Sequence, residues 1–280
     1  MRRLALEVFR WTGLAEVARV LFARRGRFVL EFHGVARERH AELPRDVQPS
    51  FSRDELRTVL RRLRDRFRFL TPEELLAGRA DGVLLTFDDG YANQAVHALP
   101  LLEEHEAPAV FFVTTRHVAD PGDWLPSVRR AAAACPRPLS PEVRHDLFDG
   151  MSRDEAQALA SSPLVTLGSH TVSHPLLTRC YDEELAAELA ESKRFLEELA
   201  GGPVELFAYP SGDYDRRVAE AVRGAGYRAA FVEESRGLGL GRWEIPRVGL
   251  YSAGPGYLAA KLCGLHRRPL RRTYDDDALR

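Results

Sequence analysis

Apolar runs of four to six residues recur along the chain, and segments with helical spacing separate them. The runs predict strands at residues 28–32, 67–70, 83–87, 109–113, 164–168, 205–209, 228–232 and 245–250. Helical spacing predicts helices over residues 52–64, 93–106, 182–199 and 214–224. Because strands that alternate with helices are typical of a parallel sheet, the pattern predicts an α/β fold.

Two of the predicted helices carry clear terminal signals. Ser52 precedes the first helix as an N-cap, and Glu55 completes a capping box with it. The helix over residues 182–199 ends at Gly201 and Gly202, and glycine readily adopts the backbone conformation that follows a helix. The boundaries of these two helices therefore follow from the sequence.

The pattern divides the chain into one large domain and two flanking segments. Residues 27–252 hold the predicted strands, with a long insertion at about residues 117–162 that contains two short helices. Residues 1–26 are predicted as an amphipathic helix, and residues 253–280 as a C-terminal helix with a basic tail. A chain of 280 residues is long enough to bury a sizeable core as a single domain.

The N-terminal segment allows two interpretations. Residues 1–27 contain seven arginines against two acidic residues, Glu7 and Glu16. A basic amphipathic helix can lie on an anionic membrane surface. It can also cover the domain with its polar face in solvent, and this interpretation is slightly favoured because the glutamates dilute the basic face.

Composition narrows the class of protein. The chain is 45% hydrophobic and 29% charged, which is ordinary for a soluble globular protein, and its net charge of −1 argues against nucleic acid as a partner. Arginine dominates the basic residues, which indicates a GC-rich, bacterial genome. No apolar stretch is long enough to span a bilayer, and charges interrupt any signal-peptide pattern. A cytoplasmic location is therefore expected, either free or at the inner face of the membrane.

Two short motifs carry the candidate chemistry. Asp88 and Asp89 follow one apolar strand at a glycine turn, and His170 and His174 follow another. Two imidazoles and a carboxylate suit Zn²⁺ or another divalent ion with positions left open for water and substrate. A second carboxylate beside such an ion can act as a base on bound water.

Together and in this order, the motifs resemble those of the NodB-type polysaccharide deacetylases, carbohydrate esterase family 4. That family has T-F-D-D-G followed by H-[S/T]-x-x-H, and this chain matches both patterns. The resemblance implies that Asp88 is the catalytic base. It also implies that the metal ligands are Asp89, His170 and His174.

The resemblance also implies a fold and a cofactor. The family has a distorted (β/α)7-type barrel, expected here as a single domain over residues 27–252. In such barrels the loops after the strands form the site, which agrees with the place of the motifs. The cofactor implied is a divalent metal, with zinc as the first candidate and nickel, cobalt or iron as alternatives.

A third segment, F-A-Y-P-S-G at residues 207–212, resembles the family motif R-x-P-Y but has Ala208 in place of its arginine. The same form occurs in the branch that includes biofilm poly-N-acetylglucosamine deacetylases. By analogy with the family, the backbone N–H of Ser211 is the oxyanion donor. Arg247 allows two interpretations: a replacement for the missing cation beside Asp88, or a surface residue on an edge strand.

The general acid is the next assignment. Many family members have a C-terminal L-x-H motif, and no good copy follows residue 248, where His266 lies in the basic tail. Instead, His33 ends the first strand before a glycine, which resembles the circularly permuted branch and implies that His33 protonates the leaving amine. The other histidines show no ligand pattern and are predicted at the surface: His97, His105, His117 and His145.

The resemblance implies a hydrolase that removes the N-acetyl group of an amino sugar in a polysaccharide, such as an exopolysaccharide, or in a glycan precursor. One alternative is a deformylase or an O-acetyl esterase on a lipid-linked sugar. Another is a non-catalytic carbohydrate-binding protein, which Ala208 suggests. The presence of Asp88 argues against the second alternative, because a pure binder needs no base.

Overall fold

Parallel strands and intervening helices alternate along the chain. The computed structural model describes residues 26–41, 43, 48–78, 80–119, 133, 135 and 138–262. The predicted N-terminal helix, except for residue 26, and the basic tail after residue 262 lie outside the described residues. Within the described part, no helix is both long and apolar enough to cross a bilayer.

The strands of the main sheet are β1 Arg27–Phe32, β4 Gly82–Asp89, β5 Ala109–Val113, β6 Val165–Ser169, β7 Leu206–Ala208, β8 Ala229–Val232, β9 Ile245–Pro246 and β10 Val248–Gly249. Throughout the described residues this sheet is parallel, and its strand order is β10-β1-β4-β5-β6-β7-β8-β9. A separate parallel pair consists of β2 Val35–Ala36 and β3 Phe51–Ser52.

One extended segment closes the sheet into a barrel. Its first half, β9, pairs with β8, and its second half, β10, pairs with β1. Arg247, the residue between the halves, donates its backbone N–H to the carbonyl of Val232 at 2.9 Å. Because β9 and β10 form one segment, the eight strands of the sheet make a nearly closed ring of seven, and the predicted barrel is confirmed.

Helices cover the outside of the ring. They are α1 Arg53–Arg64, α2 Pro72–Ala77, α3 Leu99–Glu104, α4 Thr115–Ala119, α5 Pro141–Leu147, α6 Arg153–Ala160, α7 Asp182–Ala200, α8 Arg216–Gly224 and α9 Pro255–Leu262. A π-helical turn, Gln94–Ala98, precedes α3. The predicted capping box is confirmed: Glu55 donates its N–H to the Ser52 hydroxyl at 3.3 Å, and its carboxylate accepts from the Ser52 N–H at 2.8 Å.

Three strand predictions need correction. The predicted strand at residues 67–70 is a single bridge between Phe69 and Val83. The piece predicted at residues 245–250 is interrupted at Arg247, because there the chain changes its partner from β8 to β1. The strand predicted at 83–87 starts one residue earlier and also contains the two aspartates.

Side-chain alternation divides the barrel interior into layers. Every second residue of a strand faces the same side. The lower interior layer is apolar and contains Val29, Leu84, Val110, Phe112, Leu206, Phe231 and Ile245. Continuing in steps of two toward the strand ends brings in Glu31, Asp88 and Arg247. The strand period therefore sets a polar layer on top of an apolar one, at the end where barrel loops form sites.

Candidate metal centre and active site

A cavity of about 330 Å³ opens at the C-terminal ends of the barrel strands. All the residues assigned to the site from sequence line it: His33, Asp88, Asp89, His170, His174, Ser211 and Arg247. They come from five different parts of the ring, each at or just after a strand end. The structure thus brings together every residue that the motifs singled out.

Asp89, His170 and His174 form a compact ligand set. Oδ1 of Asp89 lies 3.7 Å from Nε2 of His170 and 3.7 Å from Nε2 of His174. Ligand atoms bonded to one ion at about 2.0–2.2 Å are separated by about 3–3.5 Å at tetrahedral angles, so small side-chain shifts bring the three onto one cation. The donors are one oxygen and two nitrogens, which suits zinc and similar divalent ions.

The orientation of His170 fits a metal ligand. Its Nδ1 lies 2.8 Å from the carbonyl oxygen of Ala208, so Nδ1–H donates there and Nε2 keeps its lone pair toward Asp89. Burial lowers the pKa of His170 to about 4, against the attraction of Asp88. His170 is therefore in the neutral form that binds metals at ordinary pH.

The turn that carries His174 is held by a helix. Glu188 of α7 accepts the backbone N–H groups of Val172 at 2.8 Å and Ser173 at 2.9 Å, and the Ser173 hydroxyl at 2.5 Å. The Thr171 hydroxyl accepts the N–H of His174 at 3.0 Å. Glu188 was not predicted from sequence, because it lies on a regular helix and no motif marks it.

Backbone strain is concentrated at the site. Asp89 has a φ of 78°, His174 of 59° and Ser211 of 54°, in the left-handed region that side chains other than glycine rarely adopt. Such conformations cost about 1–3 kcal/mol each and occur mostly at functional sites. At Asp89 the unusual φ breaks the alternation of the strand, so adjacent aspartates both line the cavity.

Arg247 is buried against Asp88. Its Nη1 and Nη2 donate to the two carboxylate oxygens of Asp88, each at 2.6 Å, and Nη1 also donates to the Thr86 hydroxyl at 3.3 Å. The guanidinium lies 5.4 Å from the ring centre of Phe112 below it. With 2% exposure Arg247 is not a surface residue, so that interpretation is wrong.

The arginine determines the charge state of Asp88. Burial alone would raise the pKa of Asp88, but the charge and hydrogen bonds of Arg247 outweigh burial and lower it to about 2. Asp88 is therefore ionised at any ordinary pH, as a base must be.

His33 lies after β1, half-buried at the cavity wall. Burial alone would lower its pKa, but the carboxylates of Asp89, Glu31 and Asp88 outweigh burial and raise it. Glu31 was not singled out as a site residue, although it lines the same cavity with 2% exposure. The alternation of inward and outward residues along β1 could have identified Glu31 from the sequence, since a glutamate at an inward barrel position is unusual.

The histidine predictions outside the motif are partly wrong. His145 is exposed as expected, whereas His97, His105 and His117 are buried. Nδ1 of His117 lies 3.2 Å from the carbonyl oxygen of Asp89, so this histidine supports the turn that carries a predicted ligand. A lone histidine without a pattern gives no sequence signal for such a contact.

Comparison with known sequences finds a family match. The polysaccharide deacetylase family model matches residues 77–230, more than half of the chain. A curated relative, the putative polysaccharide deacetylase YxkH of Bacillus subtilis, is 22% identical over 152 residues, which are 54% of this chain. The match covers 44% of that relative, so the chain aligns with less than half of its length.

Solved structures show the same fold. The deacetylase PplD of Streptococcus pyogenes, in complex with acetate, has a TM-score of 0.63 at 20% identity, covering 84% of this chain and 96% of that one. IcaB from Ammonifex degensii has a TM-score of 0.63 at 24% identity, with 85% and 97% covered. A de-N-acetylase from Aggregatibacter actinomycetemcomitans has a TM-score of 0.63 at 19% identity, with 85% and 99% covered.

Proposed function

The chain belongs to the polysaccharide deacetylase family, and from that premise we propose that it is a metal-dependent hydrolase that removes the N-acetyl group of an amino sugar in a polysaccharide or glycan precursor. One observation carries the proposal. The three predicted ligands converge within one cavity, and beside them Asp88 is held ionised by a buried arginine. A binding protein has no need of an ionised base at that position.

The ligand set fits a divalent cation. The donor atoms of Asp89, His170 and His174 lie within 4.8 Å of one another, and the Nδ1 contact of His170 fixes the tautomer that ligation needs. A cation bound there would polarise the acetamide carbonyl and lower the pKa of a bound water. Zinc is the first candidate, and nickel, cobalt or iron suit the same donors.

Asp88 is the proposed general base. It accepts a proton from the water that attacks the acetamide carbon, and Arg247 holds its carboxylate in one orientation. Arg247 thereby supplies the cation that the third motif lacks, because Ala208 stands in place of the arginine of that motif. The planar fork of the guanidinium matches both carboxylate oxygens, so the base has little freedom to rotate.

Two further groups complete the proposed reaction. The N–H of Ser211, in the strained turn Pro210–Gly212, donates to the oxygen that becomes negative when the carbonyl is attacked. His33 donates a proton to the departing nitrogen, so that the C–N bond breaks to give acetate and a free amine. Carboxylates around His33 favour the protonated form that this donation needs.

The position of His33 supports the circularly permuted branch. The closing segment pairs with β1 through Leu30 and Val248, so the first and last strands are neighbours in the ring. A histidine after β1 therefore lies in the same sector of the cavity as a residue after the last strand. On this proposal, His33 replaces the C-terminal histidine that many family members use.

The substrate is proposed to be an N-acetylated hexosamine unit. A cavity of about 330 Å³ has room for one sugar ring with its acetamide and leaves adjacent units outside. Tyr251 and Glu233, which are in hydrogen-bond contact at 3.4 Å, line its wall and offer a ring face and a carboxylate to sugar hydroxyls. An aromatic face beside polar groups is suited to a sugar.

Mass spectrometry of N-acetylglucosamine oligomers and lipid-linked amino sugars tests the proposal. The metal-loaded enzyme should release acetate and leave product lighter by an acetyl group, and Asp88→Asn should release none. Release of formate, or of acetate from O-acetylated sugars alone, would instead support the deformylase or esterase alternative. Sugar binding without turnover would support the non-catalytic one.

The site of action is proposed to be the cytoplasmic face of the membrane, on a lipid-linked or nascent glycan. Residues 3–24 and the arginine-rich stretch 267–272 carry the basic charge that anionic headgroups attract, and both lie outside the described residues. Each basic residue near such a surface contributes about 1 kcal/mol of attraction.

A further inference from the structure

Glu31 is a buried carboxylate that no motif accounts for. It is 2% exposed and follows Val29 on the inward face of β1, directly above the apolar interior layer. Taking a carboxylate out of water is costly unless it is paired, so a purely structural role would favour an apolar residue at this position. Its Oε2 lies 3.2 Å from Nε of Arg247, the same residue that holds the catalytic base.

Asp88 and Glu31 contact different edges of one guanidinium. Both Nη groups donate hydrogen bonds to Asp88, whereas Nε and the Oε2 of Glu31, 3.2 Å apart, form an ion pair without an aligned hydrogen bond. Because the guanidinium is planar and its donors are rigidly arranged, fixing the Nε edge fixes the direction of the Nη edge. The backbone of Arg247 is anchored on the other side, at β8, through Val232. Glu31 is thus the residue of β1 that contacts the Nε edge of this side chain.

We propose that Glu31 is a positioning residue, which holds the Nε edge of Arg247 so that both Nη groups stay on Asp88. The proposal rests on the proposed function, since it concerns the base of that reaction. Its effect should be on the chemical step and not on sugar binding. A misplacement of about 1 Å at a reacting group can cost about 10²-fold in rate.

A second metal site is the competing explanation. Glu31, His33 and Asp88 also offer donor atoms within 4.8 Å of one another. However, the Arg247 cation contacts two of these three residues and repels a further cation there. A positioning role therefore agrees better with the charges.

Two variants distinguish the effect of the side chain's size from the effect of its oxygen atoms. Glu31→Gln keeps an acceptor oxygen, and Glu31→Leu removes it. We expect kcat to fall about 10- to 100-fold in Glu31→Leu with KM unchanged, and Glu31→Gln to recover part of the loss. Glu205→Gln is the matched control, because it removes a carboxylate paired with Arg228 at 3.0 Å on the protein surface. An unchanged kcat in Glu31→Leu, or a change in KM alone, would overturn the proposal.

A double-mutant cycle tests whether Glu31 acts through Arg247. In an Arg247→Met background, Glu31→Leu should cost less than about twofold further, because the group it positions is gone. An equal loss in both backgrounds would show that Glu31 acts directly on substrate or on His33. Metal analysis belongs to the same series: a metal-to-protein ratio of two that falls to one in Glu31→Leu would establish the metal-site explanation.

A measurement without turnover keeps this inference separate from the proposed function. The Nε–H resonance of Arg247, identified in a ¹⁵N spectrum by its loss in Arg247→Met, should shift in Glu31→Gln and stay in place in Glu205→Gln. An unmoved resonance in Glu31→Gln refutes the contact. If the native protein turns over no N-acetylated sugar, the proposed function fails, while this spectrum still decides whether Glu31 holds the arginine.

Discussion

Asp88 and Arg247 are 159 positions apart in the chain and meet through two hydrogen bonds of 2.6 Å inside the barrel. The closing segment makes this meeting possible, because it places Arg247 between β8 and β1 with its side chain turned inward. The third motif carries Ala208 instead of arginine, and the cation comes from another strand. A cation therefore lies beside Asp88, although the third motif lacks its arginine.

Arg247→Met should remove the contacts that orient Asp88 and change the pH dependence of the activity. Arg247 holds the pKa of Asp88 near 2, so its removal raises that pKa and protonates the base over more of the acid range. The acid limb of the kcat/KM profile should move to higher pH. Activity near neutrality should fall about 10- to 100-fold, because the carboxylate loses the two hydrogen bonds that orient it. Arg228→Met, at a surface ion pair, is the control. An acid limb in the same place would assign the base elsewhere.

Much of the fold followed from local patterns. For most strands of the ring, the predicted bounds agree with the structure within one or two residues, because each apolar run ends at a turn. The capping box at Ser52 and the terminal glycine at Gly201 marked helix ends, since both depend on neighbouring residues alone. Residues 67–70 form only a bridge at Phe69, because β1 occupies one edge of β4 and β5 occupies the other edge from Leu85 onward.

The site was predictable where a motif is local and unpredictable where contacts are distant. The aspartate pair and the histidine pair are short patterns, so they could be found. Glu31, Glu188 and the carbonyl of Ala208 act through contacts between separate strands and helices, and no nearby pattern marks them. The sequence identifies Arg247 as a candidate, but only its burial in the structure decides between its two interpretations.

Asp88→Asn should retain fold and metal and lose turnover. The amide has nearly the same shape but cannot accept the proton, so the rate should fall by about 10²-fold or more. Acetate release under saturating substrate measures the loss, and metal content with thermal unfolding checks that the protein is otherwise intact. Near-normal turnover in this variant would contradict the assignment of the base.

His170→Ala and His174→Ala should each abolish metal retention. Each removes one of three proposed donors, and chelation of the native enzyme should likewise stop turnover until a divalent ion is returned. His145→Ala is a suitable control, since that histidine is exposed in the insertion and far from the motif in sequence. Metal bound at full stoichiometry in both variants would mean that other residues hold it.

His33→Ala should reduce turnover while metal content stays the same. The side chain lines the cavity but is not one of the three proposed ligands, so its loss removes a proton donor only. General acid catalysis is worth about 10²- to 10⁴-fold, and substrates with a better leaving group should be affected less. His266→Ala should be almost silent. The reverse pattern would place the acid in the C-terminal tail and remove the support for a permuted arrangement.

Binding to anionic vesicles tests the proposed site of action. Residues 3–24 and 267–272 contribute several arginines, and their attraction to anionic lipid should be screened as salt shortens the Debye length from about 10 Å at 0.1 M to about 3 Å at 1 M. The full chain should therefore pellet with anionic vesicles at low salt, less at high salt, and little with neutral vesicles. Removal of residues 1–24 should weaken this binding and leave turnover of a water-soluble oligomer intact. Equal pelleting with both vesicle types, or none with either, would favour a first helix that only covers the barrel.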